Sequence, residues 1–426
     1  MEISQVRLEN FRCFAQQSFE FGAGFNLIVG DNGTGKTAIL DALAVGLRPL
    51  LASIDPSLTM GQRDEADFVR RVRHDFDGFP DIQPQYPWRV HMAVRRDGQS
   101  ASWTLERARP PGATAEDGAT EVDFGLELGS EVRQGQPVML PLLRHFGVHR
   151  GRNTAKLEEN VHEYSNRLIP YRACLDAGAD SRRLELWMRW QTGVTAQRGR
   201  PSVQLGAVEQ AVLRCVGARR FYYDLVNSEL RLEFADDSVL PLRMLSEGYR
   251  SIIVMVADIA WRAVTLNPHL GADAPAQTAG AVLIDELDLH LHPKWQRRVI
   301  ADLRAAFPKV QFIATSHSPF VIQALEDGRL IELSEPRGAC WKRRSIEDIA
   351  EEIQGVENPQ RSERFLQMVA TAEEFYRRTN ELADADDEHA ARLRRELDEL
   401  MERFSEDPAY VAMLKLERVA AEARRG

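Results

Sequence analysis

Two stretches of this chain hold residue types at spacings that can do chemistry together. The first, Gly30 to Thr37, reads GDNGTGKT and fits the pattern GxxxxGK[ST]. Its glycines let backbone N–H groups turn inward around an anion without Cβ clashes. A helix starting near Lys36 aims its positive end at the same anion. In such a cradle Asn32, Gly33, Thr34 and Gly35 wrap the phosphates of a nucleotide. Lys36 reaches the β- and γ-phosphates, and Thr37 ligates Mg2+. The second stretch is AVLIDELDLHLHP, residues 281 to 293, where an apolar run ends in Asp285 and Glu286. By themselves, two acids at a strand end read as solvated. Beside a phosphate cradle they divide a task. Asp285 supplies the second metal carboxylate, and Glu286 polarises the attacking water as general base.

Both stretches need buried strands behind them. FNLIVG, from Phe25, is the apolar strand entering the cradle, and AILDALAVGL is the amphipathic helix leaving it. Short strands precede it around Ile3, Val6 and Leu8 and around Phe19 and Phe21. Helix is predicted between Leu50 and Pro80, most clearly over DEADFVRRVRHDF. Extended runs on either side of Asp97-Gly98 predict a hairpin. RARPPGATAEDGATEV reads as a loop and VMLPLLRHFGVHRGR as a return to buried strand. Residues 153 to 215 read as helical, and FYYDLV and LRLEFADDSVLPLRML as strands. SEGYRSIIVMVADIAWRAV is a strongly apolar helix. A helix from about Lys294 to Ala306 leads to the buried strand VQFIATSHSP. Past Pro336 the chain turns into charged amphipathic helices, one placing Leu393, Leu397, Leu400 and Phe404 on a single face. Between them DADD, 384 to 387, reads as a solvated linker.

A length of 426 residues is enough for two or three domains with a large core. Apolar residues make up 44% and charged residues 28%, which suits a globular protein. No apolar run is read as a membrane span, and the N-terminus lacks the pattern of a secretory signal. Cys13, Cys174, Cys215 and Cys340 are scattered with no CxxC, which argues for a reducing cytoplasm and against a disulfide or zinc framework. The net charge of −10 means that any nucleic-acid binding needs a local basic patch.

Further motifs narrow the class. LSEGYRS, from Leu245, resembles the LSGGQ signature of ABC-type ATPases, matching it at Ser246 and Gly248 and departing at Glu247 and Tyr249. His317 in TSHSP resembles the switch histidine of that class. LDLHLHP and the opening VRLENFRCF resemble segments of its RecF, SMC and OLD-like branch. The resemblance implies an α/β fold: a P-loop NTPase of ABC type with a mixed β-sheet core, an α+β insertion between Walker A and signature, and a C-terminal helical region. The corresponding domains are a discontinuous head (1–60 and 205–345), an insertion lobe (61–204) and a helical region (346–426). It further implies that Ser246, Glu247 and Gly248 meet the nucleotide of a second subunit, that His317 is catalytic with Glu286, and that Arg12 reaches the nucleotide. ATP and Mg2+ are the implied cofactors. ATP would close a head-to-tail homodimer or higher homo-oligomer, and hydrolysis would open it. The glutamine of the family's Q-loop has no clear counterpart; Gln134 and Gln136 lie in the right region.

The segment between Lys36 and Ser246 has no long heptad run, the tail lacks the strands of a Toprim nuclease, and no HNH pattern is present. The whole-chain pattern, including RLIPYRACLD and FSEDPAYVAMLKLER, is similar to the PtuA ATPases of the Septu anti-phage system and to ATPases encoded beside retrons. That resemblance implies an ATPase partnered with a separate, PtuB-like HNH nuclease, with DNA or retron nucleic acid as further partners. The alternative is a RecF-like repair ATPase that binds DNA. It would use a basic face such as Arg70, Arg71 and Arg73, or WKRRS at 341 to 345.

Overall fold

The computed structural model describes residues 1–58, 67–76, 79–108, 122–148, 166–178, 182–333 and 344–354, with isolated helical residues between 367 and 419. The elements begin with β1 (Glu2–Phe11), β2 (Phe14–Glu20), β3 (Phe25–Val29), α1 (Lys36–Gly46) and α2 (Arg48–Ile54). Next come β4 (Arg71–Phe76), β5 (Phe79–Pro84), β6 (Trp88–Arg96), β7 (Gln99–Arg107), α3 (Asp123–Arg133) and β8 (Leu142–Phe146). They continue with α4 (Arg182–Arg198), α5 (Val203–Cys215), β9 (Ala218–Asp224), β10 (Glu229–Phe234), β11 (Val239–Pro241), α6 (Glu247–Leu266) and α7 (Ala274–Gln277). The last are β12 (Gly280–Ile284), α8 (Pro293–Gln296), α9 (Val299–Ala306), β13 (Val310–Thr315), α10 (Pro319–Gln323), β14 (Arg329–Glu332) and α11 (Ile346–Glu352). Residues Met1–Gln354 form one compact unit and Gly355–Gly426 another.

The first unit is organised by a five-stranded sheet in the order β14-β3-β13-β12-β8, with every pairing parallel. FNLIV of β3, GAVLI of β12 and VQFIAT of β13 are buried at every residue. Strands covered on both faces have no solvent side and therefore no alternation. Because β13 lies between β3 and β12, the loops that follow all three open side by side at one sheet edge. That edge is where parallel α/β sheets bind ligands.

Antiparallel pairing is kept to separate sheets, β2-β1-β6-β7, β11-β10-β9 and β4-β5. The mixed core expected from sequence is thus sorted by sheet. The turn joining β6 and β7 has positive φ at Asp97 (50°) and Gly98 (81°), the backbone that a two-residue hairpin requires. Trp103 of β7 donates its indole N–H to the carbonyl of Gly46, at 2.7 Å. This fastens the four-stranded sheet to the end of α1.

β6 and β7 extend the sheet begun by β1, and β8 forms one edge of the parallel sheet. β1 would otherwise offer a row of unpaired backbone groups on the side away from β2. The expected helix over 64–76 is corrected. Its described C-terminal part is β4, paired antiparallel with β5. Charges at Arg71, Arg73 and Asp75 flanking a less exposed Val72 follow a period of two, and non-local pairing overrides local helix propensity. The helix expected over 294–306 is two, α8 and α9, separated at Arg297 and Arg298. One stretch, Lys36–Ile54, is long and apolar enough to cross a membrane, which the sequence reading did not register; it is 83% buried inside the protein as α1 and α2. Leu393, Leu397, Leu400, Phe404, residues 384–387 and the loop 109–121 lie outside the described residues.

Candidate nucleotide site

α1 starts at Lys36 with Gly35 as its N-cap, no capping side chain and no acid in its first turn. The free N–H groups and positive dipole end of that turn are thus left for an anion. Gly33 and Gly35 have φ of 84° and 102°, a region costly for other residues. A Cβ at Gly35 would also lie 2.6 Å from both Cys13 Sγ and Phe14 Cζ. The tip of the β1–β2 hairpin therefore backs the cradle closely. The Lys36 side chain is nearly buried, at 8% exposure. Its ammonium donates to the carbonyls of Gly30 and Asp31, both at 2.8 Å. Burial lowers the Lys36 pKa, opposed by the negative charges of Asp285, Asp31, Glu286 and Asp288. Thr34 donates to the carbonyl of Asp31 at 2.9 Å, and Asn32 is exposed at the loop tip.

The acid pair follows β12. Asp285, 6% exposed, is anchored by its N–H to the carbonyl of Phe146, at 2.8 Å. Its carboxylate accepts the Thr37 hydroxyl at 3.1 and 3.3 Å and the Thr315 hydroxyl at 2.8 Å. Cis ligands of an octahedral Mg2+ with bonds of about 2.1 Å lie about 3 Å apart. The 3.1 Å between Thr37 Oγ1 and Asp285 Oδ2 fits that edge, and both donors are hard oxygens. Among the described residues no cluster of three or more His, Cys, Asp or Glu could hold a metal. An ion on this edge would take its remaining ligands from phosphate oxygens and water. Glu286 has φ of 48°, a left-handed backbone that costs about 1–2 kcal/mol for a residue with a Cβ. Its N–H donates to Thr315 Oγ1 at 2.7 Å.

The signature-like residues sit at the start of α6. Ser246 caps the helix, its Oγ accepting the N–H of Tyr249 at 3.4 Å. A Cβ at Gly248 would lie 2.1 Å from the carbonyl oxygen of His290. Only glycine lets the helix N-terminus rest on the turn that follows Glu286. Glu247 and His290 approach to 3.7 Å, and the Tyr249 and Trp295 rings meet edge to face at 5.1 Å. Among the described contacts none joins Ser246, Glu247 or Gly248 to the cradle of the same chain. The backbone N–H of His317 donates to Asp288 Oδ1 at 3.3 Å, and its carbonyl accepts from the Gln354 side chain at 2.6 Å.

Arg12 belongs to the same hairpin tip, between β1 and β2. Its guanidinium pairs with the buried Asp41 of α1 at 2.8 Å and stands 5.7 Å over the Phe68 ring. Those contacts hold it against the flank of α1, next in the chain to Cys13 at the cradle. Gln134 and Gln136 bond one another at the end of α3, at 3.1 Å, and neither touches the site among the described contacts. Sequence reasoning missed Thr315 and Asp288. The signal for Thr315 was a hydroxyl two positions before the strand-end His317; Asp288 stood two residues past Glu286.

Two family models match the chain. One described as "AAA domain" covers residues 5–122, and one described as "AAA domain, putative AbiEii toxin, Type IV TA system" covers 202–323. The chain is 26% identical to the retron Ec83 probable ATPase of Escherichia coli over 400 residues, covering 76% of this chain and 70% of that protein. It is 42% identical to the Septu protein PtuA of Bacillus mycoides over 112 residues, covering 26% of this chain but only 15% of that protein. An SMC head domain from Thermotoga maritima superposes with a TM-score of 0.41 at 15% identity, covering 76% of this chain and 92% of that one.

Proposed function

We propose that this chain, an ATPase whose site is of the ABC type, is the ATP-hydrolysing subunit of an anti-phage defence complex that controls a separate HNH nuclease. One observation carries the ATPase chemistry: Thr37 and Asp285 meet at 3.1 Å beside Lys36, with Glu286 next in the chain. The cradle and Lys36 hold the phosphates of ATP, and Thr37 and Asp285 hold Mg2+. When bound, the ion neutralises charge on the transferring phosphoryl group. Glu286 orients the attacking water and takes its proton, giving ADP and phosphate. His317 senses the γ-phosphate from the neighbouring strand end.

Ser246, Glu247 and Gly248 face the nucleotide of a second copy, so the working unit is a head-to-tail homodimer or larger, in the cytoplasm. ATP closes the pair and hydrolysis opens it. Similarity to the retron and Septu ATPases supports the defence reading, and a PtuB-like HNH nuclease is the partner it points to. The test is a pull-down of the chain expressed with its native neighbouring genes, with ATPase assay of the complex. The expected result is a co-purifying HNH nuclease whose cutting is altered by Glu286→Gln. A chain recovered with repair factors and DNA, or alone, would instead favour a RecF-like repair ATPase.

A further inference from the structure

We propose that Thr315 is a positioning residue for ATP hydrolysis. Its one hydroxyl fixes the Asp285 side chain and the Glu286 main chain together. The inference rests on the ATPase reading of the site and not on the identity of any partner.

The placement follows from the sheet. β12 and β13 run parallel with Ile284 opposite Ala314, so Thr315 stands level with Asp285 where both strands end. Its side chain is fully buried, at 0% exposure. A threonine hydroxyl has one proton and two lone pairs. The N–H of Glu286 can only donate, so at 2.7 Å it occupies a lone pair of Thr315 Oγ1. An ionised Asp285 can only accept, so the single hydroxyl proton is committed to Oδ1 at 2.8 Å. The Thr315 carbonyl then accepts the N–H of Leu287, also at 2.8 Å. Residues 285, 286 and 287 are thus all tied to one threonine.

This arrangement has two consequences. With Oδ1 held by Thr315, Oδ2 is the carboxylate oxygen nearer the Thr37 hydroxyl, at 3.1 Å, on the side proposed for the metal. The left-handed φ of 48° at Glu286 sets the direction in which the base leaves the main chain. Bonds to Thr315 from the N–H of Glu286 and of the next residue hold that φ from both sides. Losing the hydroxyl would loosen the metal carboxylate and leave a backbone N–H without its acceptor, which is costly away from water. Lys36 would keep its bonds to the carbonyls of Gly30 and Asp31, so the grip on the phosphates should change less than the metal side.

The test compares Thr315→Val, Thr315→Ala and Thr315→Ser with the native chain, reading kcat, KM for ATP, the Mg2+ concentration for half-maximal rate, and affinity for a fluorescent ATP analogue. Outer contacts to metal ligands typically matter by about 10- to 100-fold. The expected result is a kcat lower by about that factor in the Val and Ala variants. Their Mg2+ requirement rises several-fold while analogue affinity stays within about twofold, as for an interaction made in the reaction and not in binding. Thr315→Ser restores the rate to within about threefold, because it keeps the hydroxyl. A folded Val variant with unchanged kcat and Mg2+ requirement would overturn the proposal, as would a Ser variant no better than Val. If Thr315→Val does not fold, the Ser and Ala pair decides: Ser active with Ala impaired supports the role, and equal rates overturn it. If Glu286→Gln, with Thr315 intact, left hydrolysis unchanged, the site assignment would fail and this inference with it.

Discussion

Asp285 and Asp258 are both buried, at 6% and 1% exposure, in the same unit, yet they are met by opposite kinds of partner. Asp258, on α6, is gripped by the guanidinium of Arg262 one turn on, at 2.8 Å, and by that of Arg144 on β8, at 3.1 Å. Arg262 also donates to the carbonyl of Pro170, and Arg144 to that of Asp176 at 3.4 Å. The cluster ties α6, β8 and the 166–178 segment into one body. Burial pulls the Arg144 pKa down, and the charge of Asp258 opposes that pull. Asp285 is met instead by the hydroxyls of Thr37 and Thr315. Hydroxyls orient a carboxylate but do not neutralise it, so its charge still favours Lys36 and a metal ion. Guanidinium pairs answer the charge within the fold. A buried acid among hydroxyls at a sheet edge is set for chemistry, and one between arginines is set for structure.

The largest expected effects lie at the first aspartate. Asp285→Asn and Glu286→Gln should each lower kcat by about 10²- to 10⁴-fold in a phosphate-release assay. Chelating Mg2+ from the native chain should do the same. Both substitutions should cost the fold less than loss of Asp258, since the nearby Lys36 ammonium keeps the carbonyls of Gly30 and Asp31 as acceptors. The next effect has the opposite character. Asp258→Ala leaves two buried guanidiniums without their acid and should destabilise the fold by about 3–5 kcal/mol in denaturant unfolding. The fraction still folded should keep a near-native kcat. Smaller again is Arg144→Met, at about 1–3 kcal/mol, because Asp258 keeps Arg262. An Asp285→Asn variant less stable than Asp258→Ala would break the contrast.

How much of this was legible in the sequence depends on how local each cause is. Gly33, Gly35, Lys36 and Thr37 act through consecutive backbone, and the apolar run before Asp285 marks a doubly covered strand by itself. The presence of the buried strands β3, β8, β12 and β13 and the hairpin at Asp97-Gly98 were equally readable. Thr315 acquires its role only because β13 lies beside β12, and it reaches Asp285 from 30 positions away. Asp258 and Arg262 sit inside what reads as an apolar helix, and the arginine that completes the cluster is 114 residues from Asp258. Arg71–Phe76 carries charges compatible with either helix or strand, and pairing with β5 decides between them. Arg12 was assigned by resemblance, while its neighbours in space, Asp41 and Phe68, come from α1 and from beyond α2.

The smallest effect probes both ends of the contrast in one labelling experiment. Cys174 is buried near the Asp258 cluster, and burial pushes its thiol up to about 11. Cys215 is pushed up to about 12 for the same reason. Cys13 is exposed and lies where the hairpin tip meets Gly35 of the cradle. The thiolate is the reactive form, so native protein near pH 8 should be alkylated at Cys13 well before Cys174 or Cys215. Mg2+ with ATP should slow Cys13 a few-fold by ordering the cradle against it. Asp258→Ala should bring Cys174 into reach without changing Cys13, because loosening the core cluster opens the 166–178 segment and leaves the hairpin in place. Peptide mapping by mass separates these sites. Nucleotide that left Cys13 unchanged, or an Asp258→Ala variant that exposed Cys13 and Cys174 together, would mean that the two regions open as one body, and the division between a structural aspartate and a chemical one would fail at the level of dynamics.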